Sequence, residues 1–150
     1  MFESPEIQIQ PFQPEDQADV KALVLAGLVD HWGVLDPSKN PDLNEIAVSF
    51  AHATFLVAHC RGRIVGTGAL LPRDNGVGEV VRMSVARDLR RRGIGRLILG
   101  CLLDQARAAG YRRIVLETTE TWHAVIAFYL QFGFHITHIT GGDTYFALEL

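Results

Sequence analysis

The sequence predicts an α/β domain (α+β in some schemes), in which a mixed, mostly antiparallel sheet of seven strands carries helices on both faces. Three observations support this class. Short β-prone runs alternate with stretches of helical period, most clearly before and after Gly93. A helix separates the runs at 79–85 and 114–116, which makes these two strands parallel neighbours. Gly-containing turns at 61–62 and 141–143 predict antiparallel hairpins. The predicted order is βααβββαβαββ.

The first half of the chain predicts a strand, two helices and a hairpin. Ile7 and Ile9 alternate with glutamines, as in a half-exposed strand. Pro14 suits a helix start and Gly33 its end. The apolar stripe of that helix is Val20, Leu23, Val24, Gly27 and Leu28. A second helix is expected to start at Asn40-Pro41-Asp42, with Asn40 as its cap. Its stripe is Leu43, Ile46, Ala47 and Phe50. Apolar runs at 54–60 and 63–71 form the hairpin.

The second half predicts two strand–helix units and a final hairpin. A turn at Asp74-Asn75-Gly76 leads to the strand at 79–85. The next helix begins at Gly93 and stops at Gly110. Its apolar stripe is Ile94, Leu97, Ile98, Cys101 and Leu102. A central strand at 114–116 precedes a helix that Thr119 or Thr121 caps and Gly133 ends. Runs at 134–139 and 144–150 complete the sheet.

Composition limits the classes of function. A chain of 150 residues predicts one domain, 1–150. The net charge of −3 argues against a general binder of nucleic acid or anionic membrane. Cys60 and Cys101 fit no motif and are expected to be free thiols in a reducing cytoplasm. No signal peptide and no membrane-spanning apolar run are found. The six histidines show no metal spacing, so no metal is expected.

The stretch from 79 to 103 is the most informative part of the sequence. A strand leads into an arginine-rich turn, then Gly93-Ile94-Gly95, then a helix. Six arginines lie between positions 82 and 96, a locally basic site on an acidic protein. Backbone N–H groups at such a helix N-terminus favour a phosphate. The alternative is a solvated basic turn. A dinucleotide fingerprint fails because Ile98 replaces the third glycine, and a P-loop fails because no G-K-[ST] follows.

The pattern Arg90-x-x-Gly93-x-Gly95 resembles the acetyl-coenzyme A signature of the GNAT superfamily of N-acetyltransferases, and the preceding strand is also similar. The resemblance covers nearly the whole chain and includes the element order. It implies that the turn holds the coenzyme pyrophosphate through Arg90, Arg91, Arg92, Gly93, Ile94, Gly95 and Arg96. It also implies that the strand residues Met83, Ser84 and Val85 orient the pantetheine and supply a backbone donor to the thioester oxygen.

The family resemblance also implies catalytic residues. Tyr129, four residues before Gly133-Phe134, matches a tyrosine that points at the coenzyme sulfur, where it can protonate the leaving thiolate. The incoming amine must lose a proton, since a lysine-like amine is almost fully protonated at pH 7. Glu79 is the predicted base, with Glu117 or a water as alternatives. Trp122 stands where the family often has Asn, so contacts of that Asn to the coenzyme are not carried over.

The acceptor is expected to be a primary amine of a small molecule or peptide, but the sequence does not name it. His31 and Trp32 are the predicted substrate-binding residues, with Asp36 as a further candidate. The alternative function is a non-catalytic acyl-coenzyme A sensor with the same fold. A nucleic-acid partner is disfavoured because no aromatic residues are interleaved with the basic turn. Dimers are frequent in the family, so a homodimer is one expected state, and the sequence leaves the oligomeric state open.

Overall fold

One sheet of seven strands forms the centre of the protein. The computed structural model describes residues 6–33 and 39–150. The strands are β1 (Ile7–Pro11), β2 (Thr54–Cys60), β3 (Arg63–Pro72), β4 (Val77–Val85), β5 (Arg113–Thr119), β6 (His135–Thr140) and β7 (Asp143–Glu149). The helices are α1 (Gln17–Trp32), α2 (Ile46–Ser49), α3 (Ile94–Ala108) and α4 (His123–Phe132). The predicted element order and fold class are confirmed.

Strand pairing is antiparallel everywhere in the described sheet except at its middle. The strands lie in the order β1-β2-β3-β4-β5-β7-β6. The parallel pair is β4 with β5, as the helical crossover predicts, and it extends only from Val77↔Arg113 to Glu79↔Val115. Both strands continue beyond this point, β5 beside β7 and β4 beside β3. The sheet therefore opens between β4 and β5 at their carboxyl ends.

Two apolar clusters bury the two faces of the sheet. On one face, α3 and α4 pack against β2–β5 and β7, with Ile98, Leu99 and Leu102 fully buried. On the other face, α1 and the segment around α2 pack over β2–β4, with Val20, Leu43 and Ile46 fully buried. Gly27 lets α1 approach β4, since a Cβ there would lie 3.0 Å from the Ser84 hydroxyl. This contact places the C-terminal end of α1 near the opening.

Three local predictions are wrong in detail. Asn40 does not start a regular helix: Pro41–Leu43 is a 3₁₀ turn, α2 is a separate single turn, and Ala47 is exposed. Neither Thr119 nor Thr121 caps α4, because Thr119 ends β5 and Trp122 is the N-cap residue. Leu97 is 49% exposed. The buried face of α3 instead consists of Ile94, Ile98, Leu99, Leu102, Leu103 and Ala106.

Turn residues adopt the conformations that their sequence indicates. Arg61 and Gly62 both have positive φ values, 52° and 78°, as a two-residue hairpin turn of type I′ requires. Gly33 ends α1 with a φ of 75°, and its N–H donates to the Val29 carbonyl.

Cys60 and Cys101 are free thiols, both partly buried. Within the described residues, no helix is both long and apolar enough to cross a membrane.

Candidate active site

The opening between β4 and β5 is the centre of the candidate site. After Glu79, the backbone of β4 continues to Val85 with partners in β3 alone, as far as the described strands show. Polar backbone groups on the β5 side of this stretch are therefore available to a ligand. Met83, Ser84 and Val85, the predicted pantetheine-binding residues, all lie in it.

A β-bulge shapes this part of β4. Thr67 pairs with Ser84 and Ala69 with Val81, so two β4 residues, Arg82 and Met83, oppose Gly68 alone. Arg82 has a φ of 55°, which is uncommon for a residue with a side chain. The buried Thr67 hydroxyl donates to the Arg82 carbonyl at 2.8 Å and holds the bulge. Bulges re-aim the groups that follow them, here the N–H groups of 83–85.

The N-terminus of α3 lies at the same end of the sheet. Gly93 is its N-cap residue with a φ of 85°, and a Cβ there would meet nothing within 4 Å. Leu97 donates to the Gly93 carbonyl at 3.0 Å, which leaves the N–H groups of Ile94, Gly95 and Arg96 in the unsatisfied first turn. These amides and the helix dipole suit a phosphate. The turn therefore fits the predicted diphosphate.

Arginine side chains around this turn have different partners. Arg90 donates to the Val85 carbonyl at 3.2 Å and to the Asp30 carboxylate of α1 at 3.1 Å. Its guanidinium thus holds the turn against β4 and α1. Arg91 and Arg92 are exposed. The Arg96 guanidinium lies 5.4 Å from the Phe132 ring centre, a cation–π distance. Positive charge therefore surrounds the N-terminus of α3, with Arg90 serving as a structural link.

Tyr129 projects from the buried side of α4. Its ring packs against Phe134 and Phe146 at centroid distances of 5.7 and 5.6 Å, and the residue is 6% exposed. Burial raises the pKa of its hydroxyl above the ordinary value. Within the described residues, the hydroxyl has no hydrogen-bond partner, yet it is not a buried unsatisfied atom. Aromatic contacts on two sides therefore fix the ring.

Packing between α4 and α3 relates Tyr129 to the phosphate-binding turn. A Cβ on Gly95 would contact the Phe128 ring and the Val85 side chain, each at 3.7 Å. Phe128 immediately precedes Tyr129, and the two rings meet edge to face at 5.1 Å. One aromatic layer thus links the first turn of α3, the end of β4 and Tyr129.

The predicted bases lie on the opposite face of the sheet. Glu79 occupies the last position at which β4 pairs with β5, and the Arg73 guanidinium holds its carboxylate. Glu117 lies two residues beyond the Glu79 partner Val115, on the same face of the sheet. A hydrogen bond to the Glu117 carboxylate raises the pKa of Tyr145, its cross-strand partner. Tyr145 in turn stacks on His138 at 4.3 Å.

An aromatic contact joins the two sides of the opening. Trp32, in the last turn of α1, lies 5.5 Å from Trp122, the N-cap residue of α4. Trp32 is 57% exposed, so the pair is accessible. His31 lies in the same turn of α1, but its side chain and Asp36 are outside the described part of the chain. Trp32 thus contacts the N-terminus of α4 on an accessible surface, and substrate binding by His31 and Trp32 stays a prediction.

Several residues of the site are absent from the sequence-based prediction. These are Asp30, Asp42, Thr67, Arg73 and Tyr145. Asp30, Asp42, Thr67 and Tyr145 contact their partners from distant points of the sequence, whereas Arg73 lies six positions before Glu79. No sequence motif identifies any of these contacts. The sequence indicates Trp122 as a departure from the family pattern. In residues 6–33 and 39–150, no group of three His, Cys, Asp or Glu could hold a metal ion.

Comparisons with known proteins agree with this geometry. Residues 24–134 match the Acetyltransferase (GNAT) family. An IAA acetyltransferase of Azospirillum brasilense is 34% identical over 132 residues, covering 87% of this chain and 85% of that protein. Rat N-acetyltransferase 8F1 is 34% identical over 103 residues, and the aligned part spans about half of its length (47%).

Solved structures share the fold. A GNAT-family acetyltransferase from Staphylococcus aureus Mu50 superposes with a TM-score of 0.87, covering 96% of this chain and 99% of that one, at 20% identity. The PaiA N-acetyltransferase of Thermoplasma acidophilum, solved with coenzyme A, has a TM-score of 0.85, with coverage of 97% and 99% and 19% identity. The likeness therefore extends over the whole sheet and its helices.

Proposed function

The chain belongs to the GNAT family of acetyltransferases, and from this premise we propose that it transfers the acetyl group of acetyl-coenzyme A directly to a primary amine of a small molecule or peptide. The observation that carries the proposal is the coincidence of three features at one end of the sheet. These are the opening between β4 and β5, the first turn of α3, and Tyr129.

Coenzyme binding would depend mainly on backbone groups. The first-turn amides of α3 at Ile94, Gly95 and Arg96 would bind the pyrophosphate, with Arg91 and Arg92 adding positive charge. Met83, Ser84 and Val85 would bind the pantetheine amides along the unpaired side of β4. An N–H group of this stretch would also face the negative charge that develops on the thioester oxygen.

Two side-chain roles complete the proposal. Acetyl-coenzyme A supplies the thioester, from which a thiolate leaves as the amine forms its bond to the acetyl carbon. Tyr129 would protonate that sulfur, because a phenol already carries its proton at neutral pH; burial raises its pKa further. A carboxylate would accept the proton of the amine, directly or through water. Glu79 is the proposed base, and the hold of Arg73 on its carboxylate makes Glu117 the specific alternative.

The acceptor site would lie on the α1 side of the opening, where Trp32 and the carboxylates are found. The Trp32–Trp122 contact suits an amine attached to an apolar or aromatic group. IAA, which appears in the name of the Azospirillum relative, is a separate compound to test beside the amines. A cytoplasmic location and a homodimer remain predictions from the sequence.

Calorimetry and a coenzyme-release assay test the function together. We expect binding of acetyl-coenzyme A and release of free thiol with at least one member of a panel of amino acids, polyamines, aminoglycosides and peptides. Binding without any product over the whole panel would favour the acyl-coenzyme A sensor. A protein that binds neither coenzyme A nor its acetyl thioester at millimolar concentration contradicts both functions.

A further inference from the structure

An ion pair joins the bulge of β4 to the 3₁₀ turn at Pro41–Leu43. The Arg82 guanidinium donates to both carboxylate oxygens of Asp42, at 2.9 and 2.6 Å, and to the Asn40 side-chain oxygen at 3.1 Å. The Arg82 side chain is 19% exposed and that of Asp42 33%. Such a forked, partly shielded contact has a fixed geometry, unlike most surface ion pairs.

The backbone of Arg82 has a separate anchor. Its carbonyl accepts the hydroxyl hydrogen of the fully buried Thr67, and its φ of 55° is part of the bulge. One residue thus connects the strand proposed to bind the thioester with a turn on the acceptor face. The turn lies beside the opening because the bulge comes three residues after β4 leaves β5.

We propose that Arg82 is a positioning residue that fixes the Asn40–Asp42 tip of this turn as a wall of the acceptor site. The role of this turn as a wall of the acceptor site rests on the proposed function. The fixing of the turn by Arg82 rests on the observed contacts alone. Arg82 touches neither reacting group in this proposal. It sets where the tip stands relative to Met83–Val85, and so the space open to the amine.

The base of the turn is held independently of Arg82. Leu43 and Ile46 are fully buried in the cluster under α1. The Gln17 side chain donates to the Leu43 carbonyl at 2.8 Å and accepts from the Ile46 N–H at 2.9 Å. Removing the Arg82–Asp42 contact should therefore free the tip without unfolding the segment, and the Ile46 amide provides an internal control.

Amide hydrogen exchange of Asp42→Asn tests the anchor without any need for activity. The Leu43 and Asn44 amides donate to carbonyls at 40 and 41, at 3.2 and 3.1 Å. We expect their exchange to accelerate by roughly tenfold or more, because hydrogen bonds to charged groups are among the stronger ones. The Ile46 amide should keep its protection. Unchanged exchange at Leu43 and Asn44 would overturn the anchor.

Kinetics of the same variant test the wall. Asp42→Asn should raise the acceptor KM about tenfold or more, with kcat and acetyl-coenzyme A affinity changed less than about twofold. Arg82→Lys should give a smaller effect in the same direction, since an ammonium lacks the forked geometry. The double variant should be no worse than the more affected single variant, as expected for one shared contact.

A matched ion pair at the other end of the sheet provides the control. Arg113 contacts Glu149 at 2.6 Å, and Glu149→Gln should change neither exchange at 43–44 nor the acceptor KM. An unchanged acceptor KM in Asp42→Asn refutes the claim that this turn borders the acceptor site, even if hydrogen exchange shows that Arg82 fixes the turn. Absence of transfer by the unaltered protein refutes the proposed function instead, and the exchange measurement still decides the anchor.

Discussion

Replacing Tyr129 with phenylalanine removes one hydroxyl and little else. The ring contacts with Phe134 and Phe146 are apolar and available to either residue. The hydroxyl has no hydrogen-bond partner in the described structure, so its loss leaves no orphaned group. We therefore expect the stability of Tyr129→Phe to change by less than about 1 kcal/mol, or roughly 2–4 °C in Tm.

The effect on turnover should be far larger. A positioned general acid typically contributes 10²–10⁴-fold to rate, and each factor of ten is about 1.36 kcal/mol, so the loss should be roughly 3–5 kcal/mol. It should appear in kcat, because the phenol protonates a sulfur that becomes basic only as the thioester breaks. Coenzyme affinity by calorimetry should stay within about threefold, less than 1 kcal/mol.

The assay is release of coenzyme A, measured with a thiol reagent and whichever amine the panel identifies. Tyr111→Phe is the matched control, since Tyr111 follows α3 at the other end of the sheet, where its backbone N–H donates to Ala106. It should retain full turnover. A Tyr129→Phe enzyme with kcat within about twofold of the original, when chemistry limits the rate, refutes the acid role.

Three further predictions use other parts of the structure. If Glu79 is the base, Glu79→Gln should lower kcat/KM by about 10²-fold or more. If Glu117 is the base, Glu117→Gln should cause that loss instead. Steady-state assays of both variants near pH 7 distinguish the two. Gly68→Ala should cost roughly 1–3 kcal/mol in urea denaturation, because its Cβ would lie 2.6 Å from a core methyl group of α3; unchanged stability would contradict the packing. The hydrogen bond from Arg63 lowers the pKa of Asp88 to about 2, so the stability that Asp88 contributes is present above pH about 4 and is lost as pH falls towards 2. The urea midpoints of the original protein and Asp88→Asn should therefore converge over that range, and a constant difference would be inconsistent with the pair.

Most of the fold was predictable because local and global signals agree. The hairpin at 61–62 and the helix end at Gly33 follow from backbone conformations that few residues adopt. Two of the three wrong details share a cause, which is tertiary contact. Asn40 looks like a helix cap in the sequence, but its side chain accepts from Arg82, 42 positions away. The spacing of Leu97 matches the predicted apolar face of α3, but Leu97 is exposed. The face of α3 that packs on the sheet includes Leu99 and Leu103 instead.

The candidate site was predictable only where its chemistry is contiguous in sequence. The turn from Arg90 to Gly95 carries its own strand-to-helix context, and Tyr129 has a fixed spacing to Gly133. Electrostatic partners lacked any such signal. Nothing near Glu79 indicates that Arg73 reaches it across the turn at 74–76, and nothing near Arg90 indicates Asp30. Such contacts arise from topology, and they decide which predicted side chains are available to a substrate.

Backbone amide NMR provides the most direct test of coenzyme binding, since the proposed diphosphate site consists of main-chain N–H groups in the first turn of α3. The amides of Ile94, Gly95 and Arg96 should shift on titration with coenzyme A, as expected for hydrogen bonds to a charged oxygen. S-Acetylpantetheine, which lacks the diphosphate, should shift residues 83–85 and leave these three unchanged. Saturation by coenzyme A with no shift of Ile94, Gly95 and Arg96 would contradict diphosphate binding by this turn.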